Sequence, residues 1–304
     1  MNPVRGIALK LLSVALFAVM VACVKAARET VPAGEAVFFR AFIALLPVMI
    51  WAWALGQVRE AVVTTNIRGH AWRGVISAAA MTSGFAAVGM LPLPEVTAIG
   101  FSAPLLTTIL AVILLGETVR IYRWSAVIAG LIGVGVMMWP RLTALSGGVS
   151  DREAFGAVIA LGSAFCMALA IIHVRWLTRT ENTLCIVFWF HVACSAVALL
   201  TLPCGWVWPD PLTFALLIGA GLAGGVAQIV LTLSYRLADA STLAPFDYSM
   251  MLYALVSGFL IFGEVPQPQV LAGAAIVIAA GLFIVLRERR LGLTKTVPVR
   301  KTVT

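Results

Sequence analysis

Ten runs of about twenty apolar residues, at 6–24, 36–55, 73–91, 96–115, 124–140, 155–173, 183–202, 212–234, 243–262 and 267–286, leave this chain little choice of solvent. At ~1.5 Å per residue, a helix of that length crosses the ~30 Å hydrocarbon layer of a bilayer. Lipid offers backbone amides no partners, so a spanning segment must satisfy its own, as a helix does. With 62% hydrophobic and 11% charged residues over 304 positions, a soluble core of this size is excluded. The fold class is therefore an all-α polytopic membrane protein with ten transmembrane helices. The first run is full length, and no small-residue cleavage site precedes another charged region, so no signal peptide is expected.

The net charge of +8 follows the membrane and does not point to a nucleic-acid partner. With the N-terminus assigned to the cytoplasm, 16 of the 21 Lys and Arg residues fall on that side. The five exceptions are Lys25, Arg28, Arg40, Arg141 and Arg152. That asymmetry predicts a bacterial-type inner membrane protein with both termini cytoplasmic. The basic tail 287–304 anchors the last helix at the lipid surface. The cysteines, Cys23, Cys166, Cys185, Cys194 and Cys204, are odd in number, lie mostly inside spans and show no paired or metal-like spacing. They read as packing residues, with no metal and no cofactor expected.

The chain also repeats itself. Gly6, Ser13 and Lys25 align with Gly156, Ser163 and Arg175. The run 94–117 aligns with 241–264, placing Phe101-Ser102 on Tyr248-Ser249 and Gly116-Glu117 on Gly263-Glu264. The expected organisation is a first repeat at 1–140, a linker at 141–154, a second repeat at 155–286 and the tail. Five spans is an odd number, so the second repeat enters the membrane in the opposite sense. The connection after Glu117 carries Arg120 and Arg123, whereas VPQPQ after Glu264 carries no cation, which fits opposite faces. Two inverted five-helix repeats are the architecture of alternating-access carriers, with the site near the midplane.

The two Gly-Glu ends, the glycine-spaced helices AGLIGVGVMMWP (129–140) and AGAAIVIAAG (272–281), and GEAVFFRAF (34–42) together resemble the drug/metabolite transporter superfamily, and within it the EamA-type carriers. The resemblance covers essentially the whole chain. It implies ten helices in two inverted repeats around a central cavity that moves small metabolites. The segment APFDYS (244–249) is similar to carriers of S-adenosylmethionine or riboflavin. The small multidrug exporters of the superfamily use a carboxylate in the first of four helices. Here the first helix has only Lys10, Ser13 and Cys23 as polar or near-polar groups, so any proton coupling falls to Asp247.

Asp247 is the only carboxylate well inside an apolar run, and an ionisable group there costs a few kcal/mol unless it works. It either holds a substrate amine, sulfonium or proton, or is an end-of-helix acid wetted from the nearby loop. Arg40, one turn inside the second span, either binds a substrate carboxylate or phosphate or snorkels to the interface. Tyr248 and Phe101 are related by the repeat and are expected at equal depths on opposite walls, as stacking surfaces or as core. Tyr253, one turn further along, is a weaker aromatic candidate. Gln228 sits midway along a span, contacting either substrate or a neighbouring helix. His191 is either titratable or a satisfied structural histidine. His70 in a loop and His173 at a helix end are expected to do no chemistry. Glu117 and Glu264 read as structural groups that cap or tie helices, and Pro104 and Pro245 as points where the helix ladder loosens.

These readings favour a secondary carrier for an amino acid-like, S-adenosylmethionine-like or flavin-like metabolite, working as exchanger or proton-coupled carrier, as monomer or homodimer. An intramembrane enzyme on a lipid or prenyl substrate needs paired acids or a metal cluster. A channel needs a filter-like repeat or charge ring. A scaffold that has lost transport remains as the bland alternative.

Overall fold

The computed structural model describes residues 3–116, 120–143, 151–178, 180–238 and 240–290. Among them the chain is helical throughout, with no strand. The helices are α1 (Pro3–Ala27), α2 (Ala33–Ala54), α3 (Val58–Val62), α4 (Ile67–Val88), α5 (Leu93–Gly100), α6 (Ser102–Leu115), α7 (Ile121–Thr143), α8 (Asp151–Leu177), α9 (Thr183–Leu199), α10 (Pro211–Leu237), α11 (Ala240–Leu243), α12 (Ser249–Phe262) and α13 (Pro268–Arg290). Eight segments are long and apolar enough to cross a membrane. α9 is apolar but shorter at 17 residues, and α4 dilutes its 22 residues with Arg68, His70 and Arg73. The protein is a multi-pass all-α membrane protein.

Local chemistry sets the ends. Asn66 accepts from the Gly69 N–H at 2.9 Å to start α4, and Asp210 accepts from the Leu212 and Thr213 N–H groups to start α10. A hydrogen bond from the Thr213 side chain, followed by these backbone bonds, holds the Asp210 carboxyl below its usual range. α6 and α12 both end on a left-handed glycine, Gly116 at φ 64° and Gly263 at φ 65°. A side chain with a Cβ is strained at such a φ, which is why glycine stands at both sites.

Two expected spans are broken. The fourth apolar run splits at Phe101 into α5 and α6. The ninth begins with a tight 3-10 turn, Ala244–Tyr248, before α12. Phe101 and Tyr248 are equivalent positions of the repeat, and their backbones match, at φ −65° and −68°. Neither proline breaks a helix interior. Pro104 lies in the first turn of α6, and Pro245 in the first turn of the 3-10 segment, where no N–H is needed.

The helices pack by exchange of halves. α1 packs on α10 and α8 on α4; α2 packs on α10 and α9 on α4; α7 meets α13 and α2 meets α9. α1 and α4 finish at the same end, where Arg28 Nε donates to the Phe85 carbonyl. α8 begins at that end, where Arg152 Nη2 donates to the Gly89 carbonyl. The second set of five therefore runs opposite to the first. At the self-paired α7–α13 contact, glycines let the backbones close up. A Cβ on Gly273 would lie 2.5 Å from the Gly133 carbonyl oxygen, and one on Gly133 would lie 2.8 Å from that of Gly273.

Candidate functional site

The predicted site residues fall into four groups along the bundle. At the end where α1 begins, the 3-10 turn carries Asp247. Its side chain is 52% exposed, and Oδ1 lies 2.6 Å from Nζ of Lys10, a side chain only 2% exposed. Lys10 Nζ also sits 5.2 Å from the Tyr235 ring centroid. The sequence reading of Asp247 as the one acid well inside a span needs correction. Glu35 and Glu95, which looked like end-of-run acids, are the buried ones at 1% and 3% exposed. Their cause is tertiary: the Glu35 carboxylate, for example, accepts from the Val207 N–H across the fold at 3.1 Å.

In the middle, Phe101 and Tyr248 meet each other edge to face, centroids 5.2 Å apart. This corrects the expectation of two opposite walls. Residues related by a two-fold axis and lying close to it touch across it. The Tyr248 hydroxyl fills the space a side chain would take at Gly281, where a Cβ would stand 1.5 Å away. Gln228 and Tyr253 are half-buried on α10 and α12. Next to Gln228, the Ala227 carbonyl accepts from Ser13 Oγ at 2.9 Å.

Arg40 lies deeper along α2, 5% exposed. Among the described residues no carboxylate pairs with it. Its Nε and Nη1 reach only the thioether sulfurs of Met20 and Met81, at 3.4 and 3.6 Å, and its guanidinium stands 5.7 Å from the Phe190 ring centroid. Gly224 makes the room, since a Cβ there would lie 3.2 Å from Arg40 Nε. A second guanidinium, Arg73 on α4, lies 4.8 Å from the same ring and donates one N–H to the Ile186 carbonyl. Arg73 Nε is buried without a partner, as is Nε2 of fully buried His191, whose Nδ1 contacts the Val187 carbonyl. Two helices thus bring guanidinium donors around Phe190, and thioethers are weak acceptors for them. Sequence reasoning missed Arg73 because it lies near the start of its run, where an interfacial cation is ordinary.

At the far end, Glu264 ties helices together: one oxygen pairs with Lys25 and the other accepts from the Leu93 N–H at 2.8 Å. Its repeat counterpart Glu117 lies outside the described residues. A cleft of about 520 Å³ lies here, lined by Lys25, Arg28, Glu29, Arg152, Glu153 and Glu264. Burial, and Arg152 beside it, hold the Arg28 guanidinium below its usual value.

A further cluster was not legible at all. His70, expected in a loop, is buried in α4 and lies beside Glu181 and Cys185, from the α8–α9 turn and the start of α9. No spacing advertises it, because the histidine is more than a hundred positions away in sequence.

Comparison with known proteins agrees with this architecture. The chain is 29% identical over 259 residues to the S-adenosylmethionine uptake transporter of Rickettsia prowazekii, covering 84% of each chain. It is 31% identical over 222 residues to the riboflavin transporter of Rhizobium johnstonii, covering 73% of this chain and 71% of that one. It is 28% identical over 280 residues to the pseudopaline exporter of Pseudomonas aeruginosa, covering 90% and 94%. One crystal structure superposes with a TM-score of 0.65 over 94% of this chain and 98% of that one; at 17% identity it speaks for the fold alone. The model of the EamA-like transporter family matches twice, over residues 4–139 and 154–286. The doubled match coincides with the two exchanged halves of the bundle, and the chain belongs to the EamA-like transporter family.

Proposed function

We propose that this transporter is a secondary carrier, not an enzyme, for a small zwitterionic metabolite whose carboxylate is held by Arg40. It lies in a bacterial inner membrane with both termini cytoplasmic, works by alternating access, and draws on exchange or on protons for coupling. The carrying observation is a buried guanidinium with no anion beside it among the described residues. An ion taken out of water without a partner costs several kcal/mol, and two methionine sulfurs return little of that. A solute carboxylate entering between Arg40 and Arg73 supplies the missing charge, and the unpartnered Arg73 Nε stands ready as a further donor.

The second pole is Asp247. Lys10 and Met20, which mark the two poles on α1, are ten residues apart, or roughly 15 Å along a helix. A solute carrying a carboxylate and a cationic group meets each pole in turn along that path, its cation displacing Lys10 from Asp247. S-adenosylmethionine, named for the Rickettsia relative, carries both charges; riboflavin, named for the Rhizobium relative, carries neither. The charge pattern therefore favours the former class.

The test is uptake of labelled S-adenosylmethionine into proteoliposomes, competed by its decarboxylated form. Arg40→Gln is expected to weaken uptake by about 10- to 100-fold, the worth of a charge-assisted hydrogen bond at ~1.5–3 kcal/mol. Arg40→Lys, which keeps charge but not the fork, is expected to fall between. Unchanged uptake by a folded Arg40→Gln protein, or equal competition by the decarboxylated compound, overturns the assignment.

A further inference from the structure

We propose that His70, Glu181 and Cys185 form a binding site for a transition-metal dication of the zinc class. The three ligand atoms face one another: Cys185 Sγ lies 3.4 Å from Glu181 Oε2 and 3.8 Å from His70 Nε2, and Nε2 lies 3.9 Å from Oε2. A tetrahedral ion with bonds of ~2.0–2.3 Å sets its ligands roughly 3.3–3.8 Å apart. The existing triangle is within a few tenths of an ångström of that shape.

Two further observations point to a ligand. His70 is 1% exposed, yet neither ring nitrogen has an ordinary hydrogen bond. Nδ1 has no partner, and Nε2 is too far from both Sγ and Oε2 for a normal N–H donor bond. Burying a ring with one nitrogen unpartnered and the other held only by long contacts is unfavourable, and an ion at the triangle's centre satisfies Nε2 directly. The carboxylate is also already oriented. Glu181 Oε1 accepts from Thr64 Oγ1, Thr65 N and Thr65 Oγ1 at 2.9, 3.0 and 2.9 Å, which leaves Oε2 turned to the thiol and the imidazole. Outer hydrogen bonds of this kind fix ligands at metal sites.

The charges balance. On binding, the Cys185 thiol gives its proton to water, the sulfur–metal bond forms, and thiolate plus carboxylate neutralise the dication beside a neutral imidazole. A soft sulfur with nitrogen and oxygen suits zinc or cobalt better than calcium or magnesium. Three protein ligands leave the fourth position to water or to the Thr64 hydroxyl. Exposed Thr65 and Asn182 hydrogen-bonding groups mark the nearby aqueous surface, so an ion reaches the site without crossing lipid. The Trp189 ring, 6.1 Å from His70, covers the other side. Because α4 belongs to one half of the bundle and α9 to the other, a bound ion staples the halves together at the end where α1 begins.

The test is cobalt(II) titration of the purified full-length protein in detergent, with zinc displacement. One equivalent is expected to bind, giving a thiolate-to-cobalt charge-transfer band that zinc removes. The band is expected to persist when the other four cysteines are serine and to vanish in Cys185→Ser. His70→Asn and Glu181→Gln are expected to weaken binding at least about tenfold. Absence of the band in the wild-type protein overturns the site without any variant having to fold, and so does a band that survives Cys185→Ser. Transport need not be measured, so the result is independent of the carrier assignment.

Discussion

Lys10 and Asp247 show how an ion pair divides its consequences between partners. Lys10 is almost wholly buried, whereas half of the Asp247 side chain is exposed. Loss of the acid strands a buried ammonium beside Tyr235, while loss of the lysine leaves an acid that water can solvate. Asp247→Asn is therefore expected to lower the midpoint of thermal unfolding more than Lys10→Met does. The pair itself, screened on the exposed side, is worth about 1 kcal/mol or less. The double variant should recover part of the single-variant loss; strict additivity in a thermal-shift series speaks against direct coupling. The sequence located Asp247 but not its partner. Lys10 read as one of many cytoplasmic-side cations, since nothing local says that a side chain 237 positions away will be folded against it. Arg40 was legible as an intramembrane charge, but its lack of an acidic neighbour depends on Met20, Met81 and Phe190, which come from three other helices.

At the scale of elements, the apolar runs announced the helices because lipid admits little else. The paired Gly-Glu ends announced α6 and α12, since a left-handed terminal residue favours glycine. The break at Phe101 was less legible. Pro104 drew attention to that region, yet its ring fits the first turn of α6, so the interruption falls three residues before it. The α7–α13 contact offers a direct test of close packing. Gly273→Ala would place a methyl 2.4 Å from Met137 Cγ and 2.5 Å from the Gly133 carbonyl oxygen, so one helix must move. The expected cost is about 1–3 kcal/mol, read as a lowered unfolding midpoint in detergent. Gly135 has open space where a side chain would go, so Gly135→Ala is expected to be neutral and serves as the control. Equal midpoints for the two variants count against a tight seam.

For the molecule as a whole, exchanging the halves turns the α1–α12 contact into the α8–α6 contact, and both occur. The first has Lys10 paired with Asp247 at one end and Lys25 with Glu264 at the other. The described part of the second includes an apolar cluster of Leu110, Ala111, Ala168 and Ile172. A short bis-maleimide joining Lys25→Cys to Glu264→Cys, in a background with the native cysteines removed, is expected to abolish transport. The same reagent joining Leu110→Cys to Ile172→Cys is expected to leave most of it. The opposite ranking in proteoliposome uptake rejects this division of labour.

Apolar contacts weaken gradually as they are pulled apart, whereas a charged pair is either made or unmade. By placing both lysines on α1 and both acids on the segment it meets, this chain has turned that seam into a door with a bolt at each end.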